Sequence, residues 1–208
     1  MPGVVAKEKH QLITYLYWVF WISVAFFSVY PSANWLTDHR DELFQLYLPF
    51  ELSIPFVPQF IWVYLSMYLL FLMPAFVLAP TDMPRLGKQL IAGTLISGVL
   101  FLLLPASLGF TRALPDTAPY DSIFSTIFSI DRPHNLVPSL HVVFSSCIML
   151  AIAERSRGWI SGLLMLWLAA IIGSTLLVHQ HHVLDVASGL ALTIILRAYY
   201  RGGPCSDE

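Results

Sequence analysis

Five long stretches of this chain contain no Asp, Glu, Lys or Arg: Gln11 to Thr37, Leu52 to Thr81, Gln89 to Thr111, Pro133 to Ala153 and Gly158 to Leu184. After Asp185 the next charged residue is Arg197. A helix needs about 20 apolar residues to cross the hydrocarbon of a bilayer. Only 12% of the 208 residues are charged and 57% are hydrophobic, whereas a soluble domain carries about 25% charged residues. The pattern predicts an all-α integral membrane bundle of six transmembrane helices. They fall roughly at 11–30, 58–79, 88–105, 137–153, 158–178 and 182–200, in a single membrane domain covering 1–208, with a disordered tail at 202–208.

With six spans, the basic residues divide unequally between the two sides. One side receives Lys7, Lys9, Arg85, Lys88, Arg155, Arg157, Arg197 and Arg201, and the other receives Arg40, Arg112 and Arg132, which is 8 against 3. The excess of Lys and Arg in cytoplasmic loops places both termini in the cytoplasm. The loops at about 31–57 and 106–136 then face outward, together with the turn near His179. The first apolar run is too long for a cleaved signal and lacks a small-residue cleavage site, so it is expected to be retained. The acidic stretch Asp38–Glu51 is expected to form a helix lying in the outer interface, and the loop around Phe124, Ile127 and Phe128 a second short helix. Gly93, Ser97 and Gly98 are expected to serve helix packing. Cys147 and Cys205 fall in different compartments and are expected to be unpaired. Glycine-rich phosphate loops are absent, so nucleotide binding has no support. No nucleic-acid partner is expected.

Between the last two apolar runs lies His179-Gln180-His181-His182-Val183-Leu184-Asp185. Ionisable groups at such a place are costly and point to function. His181 and Asp185 are four apart, which sets them on one helical face if the sixth span begins near residue 182. A carboxylate on Nδ1 fixes the tautomer and leaves Nε2 as a base or nucleophile. A buried His–Asp pair that only ties helices together reads equally well from these residues alone. The second group is Pro138-Ser139-Leu140-His141, at the start of the fourth run. Its helix start, the Ser139 hydroxyl and the nearby Arg132 guanidinium suit an anion. Two imidazoles, a carboxylate and a cation at one surface meet the needs of phosphoryl transfer.

These segments resemble the signature motifs of the type 2 phosphatidic acid phosphatase superfamily. Arg132-Pro133, Pro138-Ser139-Leu140-His141, and Ser174 through His181 to Asp185 carry the resemblance. It implies that His181 attacks phosphorus and forms a phosphohistidine, that Asp185 orients it, and that His141 protonates the leaving oxygen. It further implies that Arg132, Ser139 and Ser174 hold the phosphate, with no metal and no cofactor. Position 125 is serine where the first motif has lysine, Thr175 stands for the third motif's arginine, and Leu140 replaces a glycine. Arg112, or His134, His179 and His182, would have to supply the missing donors; read singly, those three histidines are hydrated loop residues. The Pro-Ser-Leu-His form is more similar to the inositol phosphorylceramide synthase branch, whose members move a headgroup between lipids. The expectation is a lipid phosphatase with a lipid phosphate or diphosphate as substrate, acting on the extracytoplasmic side, with a phosphotransferase as the alternative. A metal site built from His141, His179, His181, His182 and Asp185, and a transporter, are the rival readings.

Overall fold

The structure is a computed structural model that describes residues Pro2–Arg201, with side chains from Glu8 onward. The expected tail at 202–208, with Cys205, lies outside the described residues. The fold is all-helical, and four helices are long and apolar enough to cross a membrane. These are α1 (Pro2–Asp38), α5 (Met83–Leu103), α8 (Gly158–Leu177) and α9 (Val183–Arg201). Among the described residues the β structure is limited to a single parallel bridge between Phe44 and Ala106.

Two of the expected spans take other forms. The run at 58–79 is divided into a 3-10 turn at Pro58–Phe60, α2 (Ile61–Leu65), α3 (Met67–Leu70) and α4 (Pro74–Val77). Pro58 and Pro74 each lack a donor, and the joints are carried by tighter bonds such as Leu69 N–H to Ser66 O and Met73 N–H to Leu70 O. Trp167 of α8 donates to the Ser66 hydroxyl at 2.8 Å and pins the break. The run at 137–153 becomes α7 (Leu140–Ala153), 14 residues long, or about 21 Å at 1.5 Å per residue. That is shorter than a bilayer core of about 30 Å. Most of its circumference is buried, from Val142 through Met149, so it is the central post of the bundle.

The other helices surround this post. α1 lies along α5, where Gly87 admits the Trp18 ring and Gly98 admits Val29; a Cβ at either glycine would come within 2.0 Å and 2.2 Å of those side chains. Gly93 gives the same kind of close approach to Val143 of α7. The expected interfacial helix at 38–51 is absent: beyond the end of α1, the chain is irregular until a 3-10 turn at Pro49–Ser53. Phe44 instead bonds backbone to backbone with Pro105 and Ser107, and Pro49 stops any helix from running into Glu51. The second expected short helix is α6 (Tyr120–Ile130), anchored by the fully buried Phe124. At the end of α1, Thr37 donates to Asn135 Oδ1 and Asn135 donates to Asn34 Oδ1. These bonds hold the segment that leads into α7. Cys147 is a buried free thiol on α7.

Candidate functional site

The starts of α7 and α9 lie side by side because a glycine lets them. A Cβ at Gly189 would stand 2.9 Å from the Ser139 carbonyl oxygen, so no larger residue fits without moving backbone. Ser139 N–H donates to the Asp185 carbonyl at 3.0 Å. The Ser139 hydroxyl caps α7 by accepting from Val142 N–H at 3.3 Å, which leaves its own proton uncommitted. His141 follows within the first turn of α7.

His141 and His181 touch. Their Nδ1 and Nε2 atoms are 3.2 Å apart, and the rings meet edge to face. On the other side of His181, Nδ1 is 3.2 Å from Asp185 Oδ2. That oxygen also accepts from His182 N–H at 2.8 Å. His141 Nε2 in turn bonds the Tyr64 hydroxyl of α2. The chemistry of the last acceptor sets the direction of this row. A carboxylate can only accept, so His181 carries its proton on Nδ1 and presents a bare Nε2. His141 then donates from Nδ1 and accepts at Nε2 from Tyr64. The row Tyr64–His141–His181–Asp185 therefore holds one proton per link. His181 is 4% exposed and Asp185 1%.

The two arginines expected at the site have different surroundings. Arg132 is half exposed, with Nε 3.9 Å from Asp38 at the end of α1. His134 faces the same carboxylate at 3.7 Å. Arg112 is partly buried over the Phe128 ring and donates from Nη1 to the Asp131 carbonyl at 2.7 Å. Its Nε has no partner among the described residues. Burial lowers the Arg112 pKa, and the neighbouring Asp131 carboxylate offsets part of that. Asp131, bonded by the Tyr30 hydroxyl, is raised above the ordinary carboxylate range by its own burial. The Tyr30 hydrogen bond, the nearby His181 ring and the Arg112 guanidinium act against that rise. Asp131 thus lies within electrostatic reach of His181. The Ser174 hydroxyl turns back to Ile171 O at 2.6 Å and touches none of the row. Thr175 acts through its carbonyl, which accepts the N–H groups of Gln180 and His181, and Ser125 sits exposed on α6.

Several residues of this region had no role in the sequence reading. Glu51 is 1% exposed. Its Oε2 accepts Val183 N–H at 2.7 Å and faces His182 Nδ1 at 3.2 Å, while Oε1 accepts Leu48 N–H. It is an external cap on the start of α9, where a negative charge favours the helix dipole. The only trace of it in the sequence is an acid closing a proline-flanked stretch before a long uncharged run. Tyr64 is one of several tyrosines in apolar runs and carried no distinguishing signal. Two of the three histidines expected to be hydrated, His179 and His182, are packed instead. His182 is stacked against Phe110 and Tyr47, at 4.4 Å and 4.7 Å between ring centres. His179 is stacked on Phe110 at 3.8 Å and bonds the Ile54 carbonyl. Its φ of 54° is the left-handed turn that reverses the chain between α8 and α9. Burial holds its pKa below the usual imidazole value, with the Ile54 hydrogen bond pulling the other way. Among the described residues, no group of three or more His, Cys, Asp or Glu side chains is placed to hold a metal ion.

Compared with known protein families, curated proteins and solved structures, the chain matches none of them.

Proposed function

We propose that the protein is a polytopic membrane phosphatase that removes phosphate from a lipid-linked phosphate or diphosphate through a phosphohistidine on His181. The observation that carries this reading is the contact between His141 Nδ1 and His181 Nε2 at 3.2 Å, with Asp185 on the far nitrogen of His181. Resemblance to the type 2 phosphatidic acid phosphatase superfamily in Arg132-Pro133, Pro138-Ser139-Leu140-His141 and Ser174–Asp185 points to the same class. On this reading the chain makes six crossings, with α2–α4 together forming the second and α7 the fourth. Both termini are cytoplasmic, and the histidine end faces outward.

In the resting arrangement the His181 lone pair is occupied by the His141 proton, so an arriving phosphate must part the two rings. Its oxygens find the free proton of Ser139 and the Arg112 guanidinium; Arg132 requires release from Asp38 before it can take part. The anion brings a proton onto His141. His181 Nε2 then attacks phosphorus, the bond from phosphorus to the lipid oxygen breaks, and His141 gives that oxygen its Nδ1 proton. Asp185 stabilises the charge developing on the His181 ring. Water attacks the phosphohistidine in the second step and gives its proton to His141. The Tyr64 hydroxyl suits both states of His141, because it donates to a bare Nε2 and accepts from a protonated one.

Burial of the pair favours a second reading, the transfer of a phospho-headgroup to a lipid hydroxyl, because bulk water has little access to His181. A panel of lipid phosphates, incubated with and without an alcohol acceptor, separates the two. Free phosphate as the main product supports the phosphatase, and new lipid with little free phosphate supports the transferase. Turnover of neither kind across the panel contradicts both.

A further inference from the structure

At the end of the bundle opposite the histidines, α5, α7 and α9 bring together Asp82, Arg85, Gln89, Glu154, Arg155 and Arg197 around a cavity of about 20 Å³. Three of its polar groups have a buried nitrogen without a hydrogen-bond partner among the described residues: Arg85 Nη2, Gln89 Nε2 and Arg197 Nη1. Gln89 is 1% exposed and Arg197 8%. All three unmet groups are donors. A buried donor left unmet is costly, more so when charged.

The charges around them do not balance. Glu154 alone serves three guanidinium groups: Oε1 accepts from Arg197 and Arg201, and Oε2 lies 3.7 Å from Arg85. Asp82 is taken by Arg155. Four arginines against two carboxylates, 4 − 2, leave two positive charges in excess at this end. We propose that this cavity is an anion site that seats a phosphate oxygen between Arg85, Gln89 and Arg197. The cavity holds about one water-sized group, since a water needs roughly 10–15 Å³, so the rest of the anion lies outside it, toward Arg155 and Arg201. A water would meet the hydrogen bonds but would leave the excess charge in place. Two forked guanidinium groups suit the oxygens of a tetrahedral anion, and such an anion also selects the NH2 side of the Gln89 amide. The phosphate comes either free from solution or on the headgroup of a lipid in the adjoining leaflet. The His181 reaction uses none of these residues.

The test measures thermal stability of the full-length protein against two ligands. One arm titrates inorganic phosphate on protein in neutral detergent. The other compares nanodiscs of phosphatidylcholine alone with nanodiscs containing phosphatidylglycerol. The variants are Gln89→Leu, Arg197→Gln and, as a control for phosphate bound near His181, Arg112→Gln. Stabilisation in the first arm identifies free phosphate, and stabilisation in the second arm alone identifies a headgroup. In either case Gln89→Leu and Arg197→Gln each weaken the ligand by about tenfold, while Arg112→Gln leaves this response intact. Gln89→Leu removes a buried unmet donor without breaking an ion pair, so it folds at least as stably as the parent without ligand. No saturable stabilisation in either arm, or a response that Gln89→Leu and Arg197→Gln leave unchanged, overturns the proposal.

Discussion

His181 is worth more than its neighbours because its two nitrogens face opposite kinds of partner. Asp185 holds one, and the other is bare apart from a proton lent by His141. His181→Ala should therefore reduce turnover by at least about a thousandfold, as loss of a nucleophile does. His141→Ala should cost about a hundred- to ten-thousandfold, the usual range for a general acid. Tyr64→Phe removes only a link behind His141 and should cost about tenfold. Glu51 makes a contrasting prediction. Glu51→Gln should lower stability by about 1.5–3 kcal/mol, the range for a hydrogen bond to a charged group, seen as a lower thermal midpoint. Folded Glu51→Gln protein should keep most of its turnover, since Glu51 touches His182 and Val183 rather than the row. The spacing of His181 and Asp185 was readable because they are four residues apart, although His181 lies in the turn just ahead of α9 rather than on its face. Tyr64 and Glu51 reach the region from 77 and 131 residues away, and such contacts leave no mark on local pattern.

At the scale of helices, the site depends on how close α9 comes to the Ser139 turn. Gly189→Ala places a methyl 2.9 Å from a carbonyl oxygen, and the usual cost of such overpacking is about 1–3 kcal/mol. It should also reduce turnover, because the shift carries His181 away from His141. The reverse outcome, normal stability and normal turnover, would mean that the two helix starts are not rigidly seated. At the other end, Glu154 ties α5 to α9 from the C-terminus of α7. Its burial opposes ionisation, but hydrogen bonds and charge from Arg197 and Arg201, with Arg85, hold its pKa below the ordinary carboxylate range. A lowered folded pKa means that its stabilisation is complete above the ordinary carboxylate value and is lost as pH falls through the lower one. Thermal unfolding across that acid range should show this loss, and Glu154→Gln should remove it. The helical runs were legible from missing charges, but the break at Pro58–Val77 was not, because proline can also sit inside or at the edge of a continuous span.

For the whole molecule, the proposed reaction requires that the histidine end and the arginine end lie on opposite sides of a membrane. Arg85, Arg155, Arg197 and Arg201 gather at one end of α5, α7 and α9, and Arg112 and Arg132 near the other. An impermeant thiol reagent applied to intact cells should label Arg40→Cys, and should reach Arg155→Cys only after the membrane is opened. Charge counting predicts this sidedness without any contact being known. What it could not reveal is that α7 is a short buried post, since a central helix and a lipid-facing one are equally apolar in sequence.

The most direct test of the account is to trap the intermediate. Protein mixed with a lipid phosphate labelled on phosphorus, then quenched in alkali to preserve phosphohistidine, should yield a single acid-labile label on the peptide carrying His181. Label should accumulate in the His141→Ala protein when the substrate has a good leaving group, and should be missing from His181→Ala. Turnover with no label on that peptide, or full turnover in His181→Ala, would contradict it.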